Sequence, residues 1–301
     1  MTYRSGVLFV VTGAALWSLL GLAIRQLQIA DTWQVLLWRS AGAIAVLGLW
    51  VTIRSGGHPW PRIRGTGRAG VIGGLALVAA FAGAIHAIQS TTVANAVFLF
   101  SASPFLAAIL GWLILREPVR PATWAAIALA GIGMFVMVRE GLAAGALSGN
   151  IAALASAMGF ASFTVALRHG HLSEMMPVSL LGAIFSLLVA GLVLAVTGTS
   201  FFPPPQDIVI SIAMGAVILA VGMILYTLGS RVIPAAEATL LSLVEVMLAP
   251  VWVWLVLDET ASPATFAGGA VVLAAVVLNA FAGARARPRR APSPCPPPAA
   301  P

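Results

Sequence analysis

The chain has 301 residues, of which 60% are hydrophobic and only 8% are charged, and its mean hydropathy is +1.02. A soluble domain carries about 25% charged residues, so this composition excludes an ordinary soluble domain and predicts an all-α integral membrane protein. The formal net charge of +7 does not indicate nucleic-acid binding, because the arginines are spread over short connections and the C-terminal tail.

Ten apolar runs are long enough to cross a bilayer core of about 30 Å, which needs about 20 helical residues, although the fifth and sixth need flanking residues. We number them spans 1 to 10, and they cover residues 6–25, 33–53, 69–88, 93–115, 122–138, 150–168, 178–197, 208–230, 235–257 and 263–283. The first run has no clear small-residue cleavage site and is interpreted as a span instead of a removed signal. The tail, residues 284–301, is rich in arginine and proline and is expected to be disordered and cytoplasmic.

Two stretches at the ends of spans 4 and 9 repeat one another. LILREPVRPATWAAIA begins at Leu113 and LVLDETASPATFAGGA at Leu255, and they match at 8 of 16 positions with an offset of 142 residues. An offset of 143 pairs Arg25 with Arg168 near the ends of spans 1 and 6. We call positions paired by these two offsets repeat-equivalent. The sequence therefore predicts two five-span repeats, residues 1–140 and 141–283, around a central cavity.

The distribution of arginines predicts the orientation of the chain. Thirteen arginines fall in segments on the side of the N-terminus, whereas only Arg25 and Arg139 fall in segments on the other side. The positive-inside rule therefore places both termini in the cytoplasm. Because five is an odd number of spans, the second repeat must be inverted, which is the architecture of secondary transporters with a substrate site near the midplane.

Several motifs occur in an order that resembles the EamA type of the drug/metabolite transporter superfamily. They are an arginine in span 2 (VLLWRSAGA, Arg39), Ser103-Pro104 inside span 4, a glutamate at its end (LILREP, Glu117) followed by PATW, and the second glutamate Glu259. The resemblance covers about residues 5 to 283. It implies a multi-pass protein of the bacterial inner membrane that exports or exchanges small metabolites, commonly amino acids. Within the superfamily the chain looks most like the bacterial aromatic amino-acid exporters.

Ionisable side chains inside the spans are the first candidates for function, because each costs about 2.5–3.5 kcal/mol at a helix centre unless it faces a partner or a wet cavity. Arg39 could bind a substrate carboxylate, or could be a structural anchor that snorkels outwards or pairs with Asp31 on the outer rim. Glu245 lies near the middle of span 9, where it could couple transport to protons or contact a substrate ammonium. The alternative is a neutral acid hydrogen-bonded to a neighbouring helix. Glu237, eight residues earlier, is a second candidate for coupling or a residue of the rim.

Other polar and aromatic side chains are predicted to line the cavity. The repeat-equivalent pair Trp17 and Phe160 could face each other and stack a flat or apolar substrate, although packing in the core or against lipid is the alternative for each aromatic residue. Pro104 and Pro250 are the candidate hinges for alternating access. The remaining predicted cavity residues are Trp38, His86, Asn95, Phe98, Ser101, Phe163, Tyr226 and Ser242.

The sequence favours a secondary transporter over the other classes of membrane protein. It has no GxxxxGK[ST], so ATP is not the direct energy source, and it has no HExxH or GxSxG to indicate a membrane-embedded lipid-modifying enzyme. Export of drugs, nucleosides or other metabolites remains an alternative to export of amino acids. The expected partners are a small-molecule substrate, the lipid bilayer and a proton as the candidate coupling ion. Nucleic acid, a metal and a cofactor are not expected, and the chain could be a monomer or an oligomer.

Overall fold

The structure is a computed structural model that describes residues 2–143, 145–172 and 174–285. Within these residues the regular secondary structure is helical, and ten spans are long and apolar enough to cross a membrane, which confirms the predicted all-α architecture. The predicted disordered tail lies outside the described residues except for Ala284 and Arg285. These two residues continue the helix of span 10, so the helix ends later than predicted.

Seven spans are single α-helices, and their ends lie within a few residues of the predicted ones. They are span 1 (Tyr3–Arg25), span 2 (Thr32–Arg54), span 3 (Gly67–Ser90), span 5 (Pro121–Ala143), span 6 (Leu147–His169), span 7 (Met176–Thr197) and span 10 (Pro263–Arg285). Span 9 is also continuous, over Ala235–Leu257, with Pro250 inside it.

Two spans are irregular, and one connection contains a short helix. Span 4 consists of Val93–Phe100 and Ser103–Leu115. Span 8 consists of Pro205–Ala213, a π-helical segment over Met214–Val221, and Gly222–Gly229. The connection between spans 2 and 3 contains the helix Pro59–Gly65, whose first residue is a proline that is already shaped for a helix start.

Hydrogen bonds between neighbouring spans show their directions. Spans 1 and 9 run in parallel, because Tyr3 bonds to Glu237 near their starts and Arg25 bonds to Glu259 at their ends. Span 4 runs the opposite way, because Val93 at its start donates its N–H to Glu259. Spans 4 and 9 are repeat-equivalent, and their opposite directions are what an inverted repeat requires.

The two ends of the bundle differ in charge, and we name them by this difference. The arginine-rich end is the one at which span 1 begins, and the opposite end is the arginine-poor end. The arginine-rich end carries Arg54, Arg62, Arg116, Arg168 and Arg231.

Eight spans form a closed ring in the order 1, 8, 2, 7, 3, 6, 4, 9, and spans 5 and 10 pack together at its edge. Neighbours in the first repeat have repeat-equivalent neighbours in the second: span 3 packs on spans 6 and 7, as span 8 packs on spans 1 and 2. Glycine allows the closest crossings. A Cβ on Gly159 of span 6 would lie 2.6 Å from the backbone nitrogen of Ala80 on span 3, and one on Gly13 would lie 2.8 Å from the carbonyl oxygen of Gly222.

Candidate functional site

Arg39 is buried within the ring and has no polar partner in the part of the chain that the structure describes. Its side chain is 3% exposed, and its Nε and Nη1 atoms have no hydrogen-bond acceptor among the described residues. The guanidinium carbon of Arg39 lies 4.5 Å from the centre of the Phe81 ring, so the charge is stabilised by a cation–π contact. Asp31 does not pair with it. The Asp31 carboxylate caps span 2 by accepting the N–H groups of Trp33 and Gln34 at 2.8 Å each.

Glu245 is a second ionisable side chain that lies away from the span ends, one residue from the middle of the helix Ala235–Leu257. It makes no hydrogen bond or ion pair with the described residues. On the same side of span 9, Leu241 packs with Val10, and Trp252 donates from Nε1 to the Ser18 hydroxyl at 2.9 Å. Glu245 therefore lies on the face of span 9 that is directed toward span 1.

Two aromatic side chains meet beside this face. The ring centres of Trp17 and Tyr226 are 5.4 Å apart, with a tilt of 37° between the rings. The Trp17 Nε1 also donates to the carbonyl of Leu219 at 3.5 Å. Leu219 lies in the π-helical segment of span 8, and such segments are frequent at functional sites. This segment was not predicted, because a short change in helix pitch leaves no mark on a run that is apolar throughout.

A cavity of about 290 Å³ opens at the arginine-rich end. It lies among the ends of spans 2, 6, 7 and 8, and Thr227, next to Tyr226, is part of its wall. Since span 6 is not a neighbour of spans 2 or 8 in the ring, this cavity lies inside the ring and not between two adjacent helices. The ionisable side chains that line it are Arg54, Arg62, Glu174 and Arg231.

Residues of the cavity wall can be compared with their repeat-equivalent residues at the arginine-poor end. The cavity wall includes Leu167, Pro177 and Val51, whose repeat-equivalent residues are Ile24, Gln34 and Leu194. These three are 3%, 7% and 1% exposed. Val51 and Pro177 are buried as well, so burial at these positions does not distinguish the two ends. A second cavity of about 180 Å³, lined in part by Glu259, Thr260 and Phe266, lies at the arginine-poor end, and the larger cavity of the two opens at the arginine-rich end.

Three predicted aromatic residues pack elsewhere. Phe98 is buried against span 10, where the absence of a side chain on Gly269 makes room for its ring. Phe163 is 2% exposed in the core, close to Gly73 of span 3. Phe160 is 41% exposed, and its ring contacts Phe163 at 5.7 Å between centres. Trp17 and Phe160 thus each stack on a different aromatic residue, and the predicted facing pair is not formed in this conformation.

Two further predicted cavity residues lie near the arginine-poor end. Trp38 donates from Nε1 to the carbonyl of Phe201 at 2.9 Å, and its ring contacts Phe202, so it holds the connection between spans 7 and 8. His86 is exposed on span 3, and its two ring nitrogens lie 3.3 Å from the Thr32 hydroxyl and 3.4 Å from the Ser90 hydroxyl. Both have the contacts of structural residues at a helix end.

The remaining predicted polar residues have protein partners. Asn95 is buried and bonds through Nδ2 to the side chains of Thr91 and Asn150, while its own Oδ1 has no partner among the described residues. The Ser101 hydroxyl donates to the carbonyl of Phe98 at 2.6 Å, at the break in span 4. Ser242 lies three residues before Glu245 and has a polar contact. Glu237 accepts from the Tyr3 hydroxyl at 2.7 Å at the arginine-rich end, which is consistent with a place on the rim.

The two candidate hinges differ in local structure. Pro104 is the second residue of the helix Ser103–Leu115, so it follows the break in span 4 and needs no internal hydrogen bond there. Pro250 lies inside a helix that stays continuous. Span 4 is therefore broken near its proline, whereas the repeat-equivalent span 9 is not.

Two ion pairs across the bundle were not predicted. Arg25 Nε lies 2.7 Å from Glu259 Oε2 at the arginine-poor end, and Arg168 pairs with Glu117 at the arginine-rich end. The repeat alignment already paired Arg25 with Arg168 and Glu117 with Glu259. Two repeat-equivalent residues of each sign at the ends of spans are the signal that could have predicted these contacts.

Comparisons with known proteins agree with this architecture. The model of the EamA-like transporter family matches residues 4–139 and again residues 147–281. A solved structure described as the crystal structure of a protein has a TM-score of 0.64 and 19% sequence identity, covering 95% of this chain and 100% of the other. At this identity the likeness shows the fold alone. A search of curated proteins found no match. The family model covers both repeats and nearly the whole described chain, and the chain therefore belongs to the EamA-like transporter family.

Proposed function

We propose that this transporter exports small amphipathic metabolites, in particular amino acids with an aromatic or apolar side chain, across the bacterial inner membrane by alternating access. The observation that carries the proposal is the pair Arg39 and Glu245. They have opposite signs, lie away from the span ends, and lack polar partners among the described residues. A zwitterionic amino acid has the complementary carboxylate and ammonium.

The free energy of burying an unpaired arginine supports a carboxylate as part of the cargo. A charge inside a span is costly, and a contact with the face of Phe81 offsets only part of this cost. A guanidinium binds a carboxylate through two parallel hydrogen bonds, which would satisfy the nitrogens that now lack acceptors.

The depths of the two residues suit a cargo that lies between them. Arg39 is four residues from the middle of the helix Thr32–Arg54, toward the arginine-poor end, and Glu245 is one residue from the middle of its own helix, toward the other end. At 1.5 Å per residue, their backbones differ in depth by about 8 Å. Spans 2 and 9 are not neighbours in the ring, so a cargo that contacts both charges would span this difference in depth together with their lateral separation.

The Trp17 and Tyr226 rings supply the apolar part of the proposed site. They lie on spans 1 and 8, next to the cavity wall at Thr227. Aromatic pairs prefer tilted or offset arrangements, so a further ring of the cargo would find exposed edges and faces there.

The experiment is efflux of radiolabelled phenylalanine from proteoliposomes, compared with phenethylamine, which lacks the carboxylate, and with 3-phenylpropionate, which lacks the ammonium. Wild-type protein is expected to transport phenylalanine best. Arg39→Gln should lose the preference for phenylalanine over phenethylamine, and Glu245→Gln should lose the preference over phenylpropionate. Each charge-assisted contact contributes about 1.5–3 kcal/mol, so each preference should fall by about 10- to 100-fold.

Matched controls remove one charge away from the ring interior. Asp31→Asn keeps a good helix cap, and Arg64→Gln alters an exposed residue of the helix Pro59–Gly65. Both should retain the wild-type preferences. Equal transport of the three compounds by the wild type, or the same preferences in all variants, would contradict the proposed cargo. A pH-sensitive dye inside the same vesicles shows whether export also moves protons.

A further inference from the structure

The two ion pairs described above occupy repeat-equivalent positions at opposite ends of the bundle. Arg25 at the end of span 1 pairs with Glu259 after span 9, and Arg168 at the end of span 6 pairs with Glu117 after span 4. Each pair joins a span of one repeat to the chain of the other repeat. These two ion pairs therefore link the repeats at opposite ends, and Arg62–Glu174 is a further link at the arginine-rich end.

The backbone around the two glutamates is also the same. Arg116 and Asp258, which precede them, both adopt left-handed conformations, with φ of 54° and 53°. The N–H of Glu117 then bonds to the carbonyl of Gly111 at 3.3 Å, and the N–H of Glu259 bonds to the carbonyl of Val253 at 3.2 Å. A left-handed conformation costs free energy in any residue with a Cβ. Its presence at both positions shows that each turn is held by its surroundings.

Helix electrostatics does not explain why glutamates occupy these positions. The C-terminal end of a helix carries partial negative charge, so a carboxylate just beyond it is unfavourable unless a cation lies close by. Arg25 and Arg168 are those cations. Each glutamate is thus stabilised at its place only while the two repeats are in contact at that end.

The pair at the arginine-poor end is the more enclosed one in this conformation. The Arg25 and Glu259 side chains are 25% and 19% exposed, against 47% and 40% for Arg168 and Glu117. The Arg25–Glu259 pair also bonds to the start of span 4 and to the connection before it. Val93 donates its N–H to Glu259 at 2.8 Å, and Arg25 donates to the carbonyl of Thr91 at 2.7 Å. Exposed ion pairs contribute little to stability, so Arg168–Glu117 is expected to contribute less than Arg25–Glu259.

We propose that these two ion pairs are reciprocal latches of the transport cycle. Both pairs are formed in the described conformation. Arg25–Glu259 separates when the arginine-poor end opens, and Arg168–Glu117 separates when the arginine-rich end opens. The inference rests on membership of a transporter family and on the geometry of the pairs, and it does not depend on which cargo is carried.

The test measures distances across each end by double electron–electron resonance in reconstituted protein without cargo. Cys295→Ala removes the native thiol. Spin labels at Ile29→Cys and Thr260→Cys report on the arginine-poor end, and labels at Pro118→Cys and His169→Cys report on the other end. All four positions are exposed.

Arg25→Gln should shift the arginine-poor end to longer distances and the arginine-rich end to shorter ones. The ratio of open to closed populations is expected to change about tenfold, which corresponds to about 1.4 kcal/mol. The exchanged pair Arg25→Glu with Glu259→Arg should restore the wild-type distances, and Glu117→Gln should not open the arginine-poor end. Arg64→Gln, an exposed residue outside both pairs, is the control.

Three results would overturn the proposal. The first is unchanged distances in Arg25→Gln. The second is a longer distance at the arginine-poor end without a shorter one at the other end, which would make the pair a simple structural link. The third is failure of the exchanged pair to restore the distances while the protein elutes as the wild type does on size exclusion. Because no cargo is present, a negative result for phenylalanine export leaves this test unaffected.

Discussion

Asp207 shows how a single buried side chain can hold a connection between spans. It is fully buried at the arginine-poor end, and its carboxylate accepts the backbone N–H groups of Gln28, Ile29 and Ala30 at 2.9, 3.1 and 3.0 Å. Three donors satisfy a buried carboxylate without a countercharge. Asp207 thereby fixes the connection between spans 1 and 2 to the start of span 8.

Replacing this carboxylate should destabilise the protein without changing its fold. Asp207→Ala leaves three buried N–H groups without an acceptor, and we expect a loss of about 2–4 kcal/mol in the free energy of unfolding. Asp207→Asn keeps one acceptor oxygen and should lose less. Thermal unfolding midpoints in detergent measure both changes, and a midpoint for Asp207→Ala equal to that of the wild type would disprove this role.

At the residue scale the sequence predicts which side chains are unusual, but it does not predict their partners. Arg39 and Glu245 stand out because a charge inside an apolar run is visible in one dimension. The contact of Asp207 with residues almost 180 positions earlier is not visible, because it depends on how spans 1, 2 and 8 meet. Phe98 and Phe163 were predicted to line the cavity, and they pack against glycines of other spans that only the fold brings near.

At the scale of single elements, length and hydropathy predict the spans well and their irregularities poorly. The ten spans follow from apolar runs that match the bilayer thickness. The break in span 4 and the continuity of span 9 do not follow from their prolines. A proline in the first turn of a new helix is tolerated, as at Pro104, whereas Pro250 remains inside a helix that its neighbours hold together.

The close crossing of spans 3 and 6 gives an element-scale prediction. A Cβ on Gly159 would meet the backbone of Ala76 and Ala80 at 2.6–2.7 Å, so Gly159→Ala must push the two helices apart. We expect a loss of about 1–3 kcal/mol and a lower thermal midpoint. Gly131→Ala in span 5 is the matched control, because nothing lies within 4 Å of its Cβ. A loss of the same size in both variants would contradict the packing explanation.

At the scale of the whole molecule, the repeat predicts the arrangement of neighbours. Contacts of spans 3 and 4 in the first repeat have counterparts at spans 8 and 9 in the second, as expected if one packing plan is used twice. The repeat does not predict which conformation of the transport cycle the protein adopts. The same sequence must pack in at least two ways during transport, and its apolar pattern does not distinguish them.

The orientation in the membrane can be tested with the single native cysteine. Cys295 lies outside the described residues, in the tail that the arginine distribution places in the cytoplasm. A membrane-impermeant thiol reagent should therefore label it only after the cells are permeabilised. In a Cys295→Ala background, Ile29→Cys at the arginine-poor end is 78% exposed and should be labelled in intact cells. Labelling of Cys295 in intact cells would reverse the orientation.

The repeats share their packing and their end-to-end ion pairs, but not their unpaired charges. Arg39 is repeat-equivalent to Gly182, which is packed against Leu77, and Glu245 is repeat-equivalent to Ser103. An assembly of two identical half-length chains would have to carry each charge twice, and two uncompensated cations in one apolar interior would repel each other. Joining the halves in one gene allows a single cation and a single acid to evolve independently. In the fused chain, the helix packing and the ion pairs at the ends can therefore stay symmetric while the charges that contact the cargo differ between the two repeats.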